Sequence, residues 1–142
     1  METRTNTGYV AFLSVVAAIG GVIQRDNDVR IQELASLDYT GKLARLRDTV
    51  MKLHARQLEA VKFVAEKKDP AYHDLMARSL VEMETYIFVG LLLLRDAMKC
   101  EDRAAIAERF ILDAVPEFEK RFMRVTSGDV TLIDNKRDII DY

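Results

Sequence analysis

The chain has 142 residues and a formal net charge of −2, from 21 basic and 23 acidic side chains. Its length predicts one domain that buries roughly two-thirds of its unfolded surface, and its weak electrostatic field disfavours nucleic-acid binding. Because Cys100 is the only cysteine, an intramolecular disulfide and a C-x-x-C metal site are excluded, which favours a reducing cytoplasm.

The first predicted helix covers the N-terminal segment. Asn6 or Thr7 supplies a cap, and the helix should run to about Gln24, where the cluster Asp26–Asn27–Asp28 breaks it. Most of this helix is the apolar segment Tyr9 to Ile23, which indicates a buried helix.

The apolar segment Tyr9 to Ile23 also raises the question of a membrane anchor. Its fifteen residues fall below the ~18 that a spanning helix needs, and the flank before it balances Glu2 against Arg4. We therefore expect a cytoplasmic protein without membrane association. An export signal stays open, because small residues near the end of the segment resemble a processing site: Ala17, Ala18, Gly20 and Gly21.

The next predicted elements are a short helix near residues 29–37 and a long helix after it. Ile31, Leu34 and Leu37 recur every three residues in the short helix. Thr40 can cap the long helix, which should extend over about 27 residues, or roughly 40 Å. Its predicted inner face consists of Leu43, Leu46, Val50, Leu53, Leu58, Val61 and Val64.

The central predicted helix starts at Asp69–Pro70, where an aspartate cap precedes a first-turn proline, and runs to about Lys99. The short connection at Lys67–Lys68 forces an antiparallel hairpin with the preceding helix. Because residues Tyr86 to Leu94 have no polar side chain on any face, we expect other helices to surround them. The apolar stripe of this helix consists of Met76, Leu80, Met83, Ile87, Gly90 and Leu94.

The last predicted helix opens at Glu101–Asp102 and stops at Gly128. Pro116 lies inside it and removes a hydrogen bond to Leu112, which predicts a kink or a restarted helix. Residues 129–142 form a tail that either docks through its apolar side chains or frays. The predicted inner positions of the helix are Ile106, Phe110, Ile111, Ala114, Phe118, Phe122 and Val125.

A helical bundle invites the question of a di-metal carboxylate site, which needs Glu-x-x-His pairs. The residue three before His54 is Met51, and the residue three before His73 is Pro70, so neither histidine has this spacing. No glycine-rich phosphate-binding motif occurs in the sequence. We therefore predict no metal site and no bound cofactor.

Three further kinds of side chain are candidates for catalysis. A glutamate turned inward at Glu82 or Glu84 would be a base of raised pKa, but a solvated pair of Glu82 with Arg78 is the favoured interpretation. Tyr86 should face the densest part of the core and satisfy its hydroxyl against a backbone carbonyl. Cys100 lies beside an acidic residue at the negative end of a helix, which disfavours its thiolate. We predict no catalytic residue.

The last two helices also contain a pattern of residues typical of one family. An apolar helix with an internal glycine ends in a leucine-rich run and Arg-x-Ala, and the next helix has an Ala-x-Arg-Phe motif, a central proline and a Thr-Ser-Gly end. The residues are Gly90, Leu91 to Arg95, Ala97, Ala107, Arg109, Phe110, Pro116, Thr126, Ser127 and Gly128. This pattern resembles the C-terminal helical domain of the acyl-CoA dehydrogenase family, and the preceding hairpin agrees in layout only.

The resemblance implies a packing module. Enzymes of this family oxidise acyl-CoA thioesters with FAD, through a glutamate base and a flavin site carried by an N-terminal and middle region. Nothing in this sequence matches that region, so the resemblance assigns it no catalytic residue, no flavin-binding residue and no cofactor. It implies a role in fatty acid metabolism as an appended module on a dehydrogenase body or a neighbouring subunit.

We predict an all-α fold: a four-helix up-down antiparallel bundle over residues 1–128, with a short extra helix and a C-terminal tail. The predicted function is a noncatalytic interaction module that contacts a dehydrogenase body or a second copy of itself. Whether the chain stands alone or is a piece of a longer protein stays open. So does an alternative function, a bundle that binds an acyl chain or another hydrophobic ligand among Met51, Met76, Met83, Met98 and Met123.

Overall fold

The computed structural model describes residues 26–135, and no strand occurs within that range. The predicted all-α fold is therefore confirmed for this part of the chain. A 3-10 turn, Glu101–Arg103, lies between the third and fourth helices. The helices are α1 (26–35), α2 (Gly41–Glu66), α3 (Pro70–Lys99), α4 (Ala104–Thr126) and α5 (Thr131–Asp134).

The predicted first helix, from Asn6 or Thr7 to Gln24, lies outside the described residues, and so does the apolar segment Tyr9 to Ile23. Among the helices of residues 26–135, none combines the length and the apolarity needed to cross a bilayer. The cytoplasmic location stays a prediction, as does the division into a bundle over residues 1–128 and a tail.

The described residues fall into two compact units that divide between Ser36 and Leu37. The first contains α1, which is present where the short extra helix was expected and includes Asp26–Asn27–Asp28. The cluster is thus helical itself, and the predicted end of the first helix before it lies outside the described residues. Relative to alanine, each of these residues lowers the stability of a helix by only about 0.7 kcal/mol or less, and contacts with the surrounding structure readily offset this amount.

The second unit is built on an antiparallel hairpin of α2 and α3. Near the connection, the rings of Phe63 and Tyr72 pack edge to face with centroids 6.4 Å apart. At the far end, Val50 of α2 lies against Gly90 of α3. The partner of the later residue in α2, Phe63, is thus the earlier residue in α3, Tyr72. The two helices therefore run in opposite directions, which confirms the predicted antiparallel order.

The fourth helix completes this unit and also runs antiparallel to α3. Tyr72 at the start of α3 bonds to Val125 near the end of α4, whereas Gly90 lies opposite Ile111 in its first half. Since α2 and α4 are each antiparallel to α3, they run parallel to one another. Two ion pairs connect them in that register, Lys42–Glu108 and Arg56–Glu119.

The start of α3 follows directly from its sequence. The Asp69 carboxylate accepts a hydrogen bond from the backbone N–H of Ala71 at 3.0 Å, and Pro70 occupies the first turn, where a missing N–H is harmless. The observed helix has the predicted bounds. By contrast, Thr40 precedes α2 without a side-chain cap bond to any described residue.

Burial in α2 and α4 follows helical spacing more closely than it follows hydropathy. Leu58 is 39% exposed and Ile106 is 59% exposed, so their predicted inward positions are wrong. Both lie off the stripe of residues spaced three and four apart that faces the neighbouring helices. Small or polar residues occupy the stripe instead: His54, Gln57 and Ala60 in α2, and Ala107 and Ala114 in α4.

The middle of α3 is buried on one side only. Ile87, Leu91 and Leu94 are fully buried, but Leu92 is exposed and Phe88 is half-buried. The expectation that other helices surround Tyr86 to Leu94 on every side is therefore wrong for the outer side, because α2 and α4 cover only part of the circumference of α3.

The proline of α4 does not interrupt the helix. The helix α4 is continuous from Ala104 to Thr126 and passes through Pro116, so the predicted restart of the helix is wrong. Pro116 is exposed, which allows water to hydrate the carbonyl group that its missing N–H leaves unbonded. The helix ends just before Gly128, whose φ of +70° suits glycine at a helix C-terminus.

Candidate interaction surface

The outward side of α3 presents a largely apolar stripe, which we call the α3 stripe. Its residues are Val81, Thr85, Phe88 and Leu92, spaced by four, three and four positions and therefore on one face of the helix. Val81 is 66% exposed and Leu92 is 37% exposed. Thr85 is exposed and Phe88 is half-buried. The α3 stripe thus leaves apolar side chains open along one side of α3, within the described part of the chain.

The outward sides of α2 and α4 differ from this pattern. Exposed apolar residues on them, such as Leu58 and Leu112, stand singly among charged neighbours, an arrangement that is ordinary for a protein surface. The outward charged positions are Arg45, Asp48, Lys52, Glu59 and Lys62 in α2, and Arg109, Asp113, Lys120 and Arg124 in α4. Among the three long helices, α3 therefore has the unusual face.

Charged residues bound the α3 stripe at both ends. Asp74 and Arg78 precede it, and Asp96 and Lys99 follow it on the same side of the helix. The Arg78 side chain is 91% exposed and its Nε donates to Glu82 Oε1 at 3.0 Å. Each end of the stripe thus carries one acidic and one basic side chain.

A network of ion pairs centred on Arg121 flanks the stripe on the α4 side. The Arg121 Nε donates to Glu82 Oε2 at 2.5 Å, and its Nη1 donates to Glu117 Oε2 at 2.8 Å. Glu82 also receives the Arg78 bond, so its two oxygens are each paired with a different arginine. The predicted pair of Glu82 with Arg78 is confirmed.

The electrostatics of Glu82 are those of a fixed carboxylate. The hydrogen bond from Arg121, followed by that from Arg78, lowers the pKa of the Glu82 carboxyl below its usual 4.5. A general base working near neutral pH needs the opposite shift. The favoured interpretation of Glu82 as part of a solvated ion pair agrees with this geometry.

The role expected of Tyr86 belongs to a different tyrosine of α3, Tyr72. Tyr86 is half-buried, with its ring 6.3 Å from that of Phe110 and below the Arg121 guanidinium, so its predicted position in the densest core is wrong. The residue that satisfies a buried hydroxyl against backbone is Tyr72, which donates to the Val125 carbonyl and accepts the Gly128 N–H at 3.2 Å.

Sequence reasoning missed Tyr72 because it lies in the first turn of α3, before the apolar stripe of that helix becomes regular. The available signal is its spacing: Tyr72, Met76, Ser79 and Met83 continue the inward face by steps of four, three and four.

The remaining candidate side chains do not converge on one site. Cys100 is exposed directly after α3. Met76 and Met83 are buried in the core, whereas Met98 and Met123 are exposed. Within residues 26–135, no group of three or more His, Cys, Asp or Glu side chains is placed to hold a metal ion. The absence of catalytic, cofactor-binding and metal-ligating residues stays a prediction for the whole chain.

Three of the family-like residues of α3 and α4 have packing roles, namely Gly90, Leu91 and Ala107. A Cβ atom built on Gly90 would lie 3.3 Å from Val50 Cγ2 and 3.5 Å from Ile111 Cγ1, so this glycine allows all three helices to approach. Leu91 and Ala107 are fully buried. These residues therefore hold the helices together, and none of the packing just described requires a ligand.

Comparisons with known proteins agree with this fold. The protein-family model described as "Acyl-CoA dehydrogenase C terminal" matches residues 27–128, which includes the hairpin of α2 and α3. The crystal structure of the acyl-CoA dehydrogenase family protein from Porphyromonas gingivalis is similar, with a TM-score of 0.70 and 27% sequence identity. The similarity covers 80% of this chain and 99% of that chain. No curated protein sequence gives a significant match.

Proposed function

Because the chain belongs to the family of acyl-CoA dehydrogenase C-terminal domains, we propose that it is a noncatalytic helical module that acts by binding another protein. The partner is a dehydrogenase body or a second copy of the chain. On this proposal the module belongs to fatty acid metabolism through its partner, because the acyl-CoA chemistry is performed elsewhere.

The α3 stripe is the observation that carries the proposal. Val81 and Leu92 expose apolar surface in the centre of α3, in line with Thr85 and Phe88. A row of exposed apolar side chains bounded by charged residues is typical of a protein interface. Burying such apolar surface is favourable by a free energy of roughly 25 cal/mol per Å². The other long helices present charged residues at the equivalent positions.

Two further observations support the noncatalytic part of the proposal. A carboxylate that flanks the stripe, Glu82, is held ionised by Arg121 and Arg78. Fully buried side chains fill the interior between α2, α3 and α4, among them Met83, Leu91 and Phe118. Protein cores are in general close-packed, so an acyl chain would find little space between these helices.

The experiment that tests the proposal measures binding and chemistry on the same sample. The purified chain is mixed with an acyl-CoA dehydrogenase body that lacks its own C-terminal domain, and binding is followed by calorimetry. Self-association is followed by sedimentation. We expect at least one of the two interactions, no flavin absorption, and no oxidation of acyl-CoA without a partner.

A matched pair of variants makes this test specific. Thr85→Glu places a charge in the α3 stripe, and Leu112→Glu places one on the outward side of α4. We expect the first to weaken binding by about tenfold or more and the second to change it by less than about threefold. A chain that binds neither partner, that carries flavin, or that shows a tightly bound lipid in native mass spectrometry would contradict the proposed function.

A further inference from the structure

We infer that the α3 stripe is a two-fold interface with a second copy of this chain, in which the two α3 helices lie antiparallel. This inference rests on the proposed function and names one partner for it. The arrangement follows from the order of residues along the outward side of α3.

The apolar centre of the stripe is compatible with two-fold symmetry. An axis that crosses α3 between Thr85 and Phe88 brings Val81 of one copy opposite Leu92 of the second copy. The same axis brings Thr85 opposite Phe88. Since a two-fold axis generates each contact twice, the exposed aliphatic side chains at the two ends of the apolar centre cover one another.

The charged ends of the stripe fit the same axis. It places Asp74 near Lys99 of the second copy, and Arg78 near Asp96 of the second copy. Both pairs are attractive, and symmetry makes four of them. Complementary charge around an apolar centre gives an interface its register and orientation.

A parallel arrangement of the two helices is disfavoured by the same residues. In parallel register each position meets its own copy, so Asp74 would face Asp74 and Arg78 would face Arg78. Like charges placed directly opposite one another are repulsive. The sequence of signs along α3 therefore selects the antiparallel dimer.

The charged groups have capacity for the additional contacts. Of the guanidinium nitrogens of Arg78, only Nε donates a hydrogen bond to Glu82 within the described residues. The Arg78 side chain is 91% exposed, so its Nη donors remain available for a second copy. The carboxylate oxygens of Asp96 lie 3.9 Å from Arg95 and 3.8 Å from Arg103, and both distances are longer than a hydrogen bond.

The test is sedimentation equilibrium of the full chain from micromolar to millimolar concentration. We expect a mass that rises toward twice that of the chain. Thr85→Glu should weaken the dimer by about tenfold or more, because it puts two like charges beside the axis. Leu112→Glu, which adds the same charge to an exposed apolar position of α4, should leave the dimer unchanged.

A charge exchange tests the antiparallel register. Arg78→Glu alone and Asp96→Lys alone should each weaken the dimer by about tenfold, because each turns two attractive pairs repulsive. The double variant R78E/D96K restores attraction between the exchanged charges, and its dimer should return to within about threefold of the unmodified chain.

Three outcomes would overturn the inference. They are a chain that stays monomeric at every concentration, a dimer that Thr85→Glu does not weaken, and a double variant as weak as its parents. A monomeric chain that still binds a dehydrogenase body would overturn the dimer and leave the proposed function standing. A folded chain that binds neither would contradict both.

Discussion

Tyr72 shows how a single hydroxyl group connects distant parts of the chain. It lies in the first turn of α3, yet it donates to the carbonyl of Val125 and accepts the N–H of Gly128, at the end of α4. Both bonds form at a site where Tyr72 is almost fully buried. The end of α4 is therefore fixed to the start of α3 by a side chain as well as by packing.

The first prediction concerns this hydroxyl. Tyr72→Phe removes it while the ring remains, which leaves a carbonyl and an N–H without their partner, and should lower the free energy of unfolding by about 1–2 kcal/mol. Urea denaturation measures the change. Tyr86→Phe is the control, because the Tyr86 ring packs on Phe110 at a half-buried position. Equal effects of the two substitutions would contradict the assigned role.

Glu82 supports a second prediction, on pH dependence. Its pKa in the folded chain is lowered by Arg121 and Arg78, so its contribution to stability is present above 4.5, the usual glutamate value, and is lost as pH falls through the lower folded value. Denaturation at a series of pH values should show a shallower acid decline for Glu82→Gln than for the unmodified chain. Parallel curves would exclude a contribution from this ion pair.

Some positions were predicted wrongly because the prediction rested on residue identity alone. Leu58 and Ile106 are apolar and were expected inside, but they lie off the helical stripe and are exposed. Ala60, Ala107 and Gln57 are small or polar, yet helical spacing places them inside. Whether a side chain is buried was therefore set by its position around the helix axis. Hydropathy predicts that position only where the apolar pattern is regular.

At the scale of elements, Gly90 determines how closely the three long helices approach. A Cβ atom at this position would lie 3.3 Å from Val50, which is itself almost fully buried and branched at its own Cβ. Branched side chains in helices have few alternative rotamers, so Val50 has little freedom to yield.

The third prediction tests this contact by a double-mutant cycle. Gly90→Ala should destabilise the chain by about 1 kcal/mol, because overpacking costs more than the roughly 0.8–1 kcal/mol that alanine gains in helix propensity. In a Val50→Ala background the clash is absent, and the same substitution should stabilise by about 0.5–1 kcal/mol. An effect of the same size and sign in both backgrounds would contradict the role of Val50.

The elements that the sequence predicted well have local signals at both ends. The bounds of α3 follow from the Asp69 cap, the first-turn proline and the acidic pair Glu101–Asp102 after its end, and the end of α4 follows from Gly128. The candidate surface was harder to predict, because the residues from Tyr86 to Leu94 are apolar all round. A helix buried on every side and a helix with one open face have the same composition there, and only the placement of α2 and α4 separates them.

At the scale of the whole molecule, the proposed dimer links stability to concentration. A folded dimer that dissociates on unfolding is stabilised by mass action. The fourth prediction is that the melting temperature rises by roughly 2–5 °C for each tenfold increase in concentration above the dissociation constant. Scanning calorimetry of the Thr85→Glu variant should show this rise only at concentrations about tenfold higher or more, because its dimer is weaker. A rise that begins at the same concentration in both proteins would speak against the dimer.

Pro116 has a consequence for the way α4 opens. The helix passes through this residue without interruption, but the proline ring supplies no amide hydrogen to the turn before it. That turn therefore has one fewer bond to break than its neighbours, and it lies on the exposed side of the helix. In hydrogen–deuterium exchange, the amides around Pro116 should exchange sooner than those around Val125, so that α4 opens from its middle while its end remains protected.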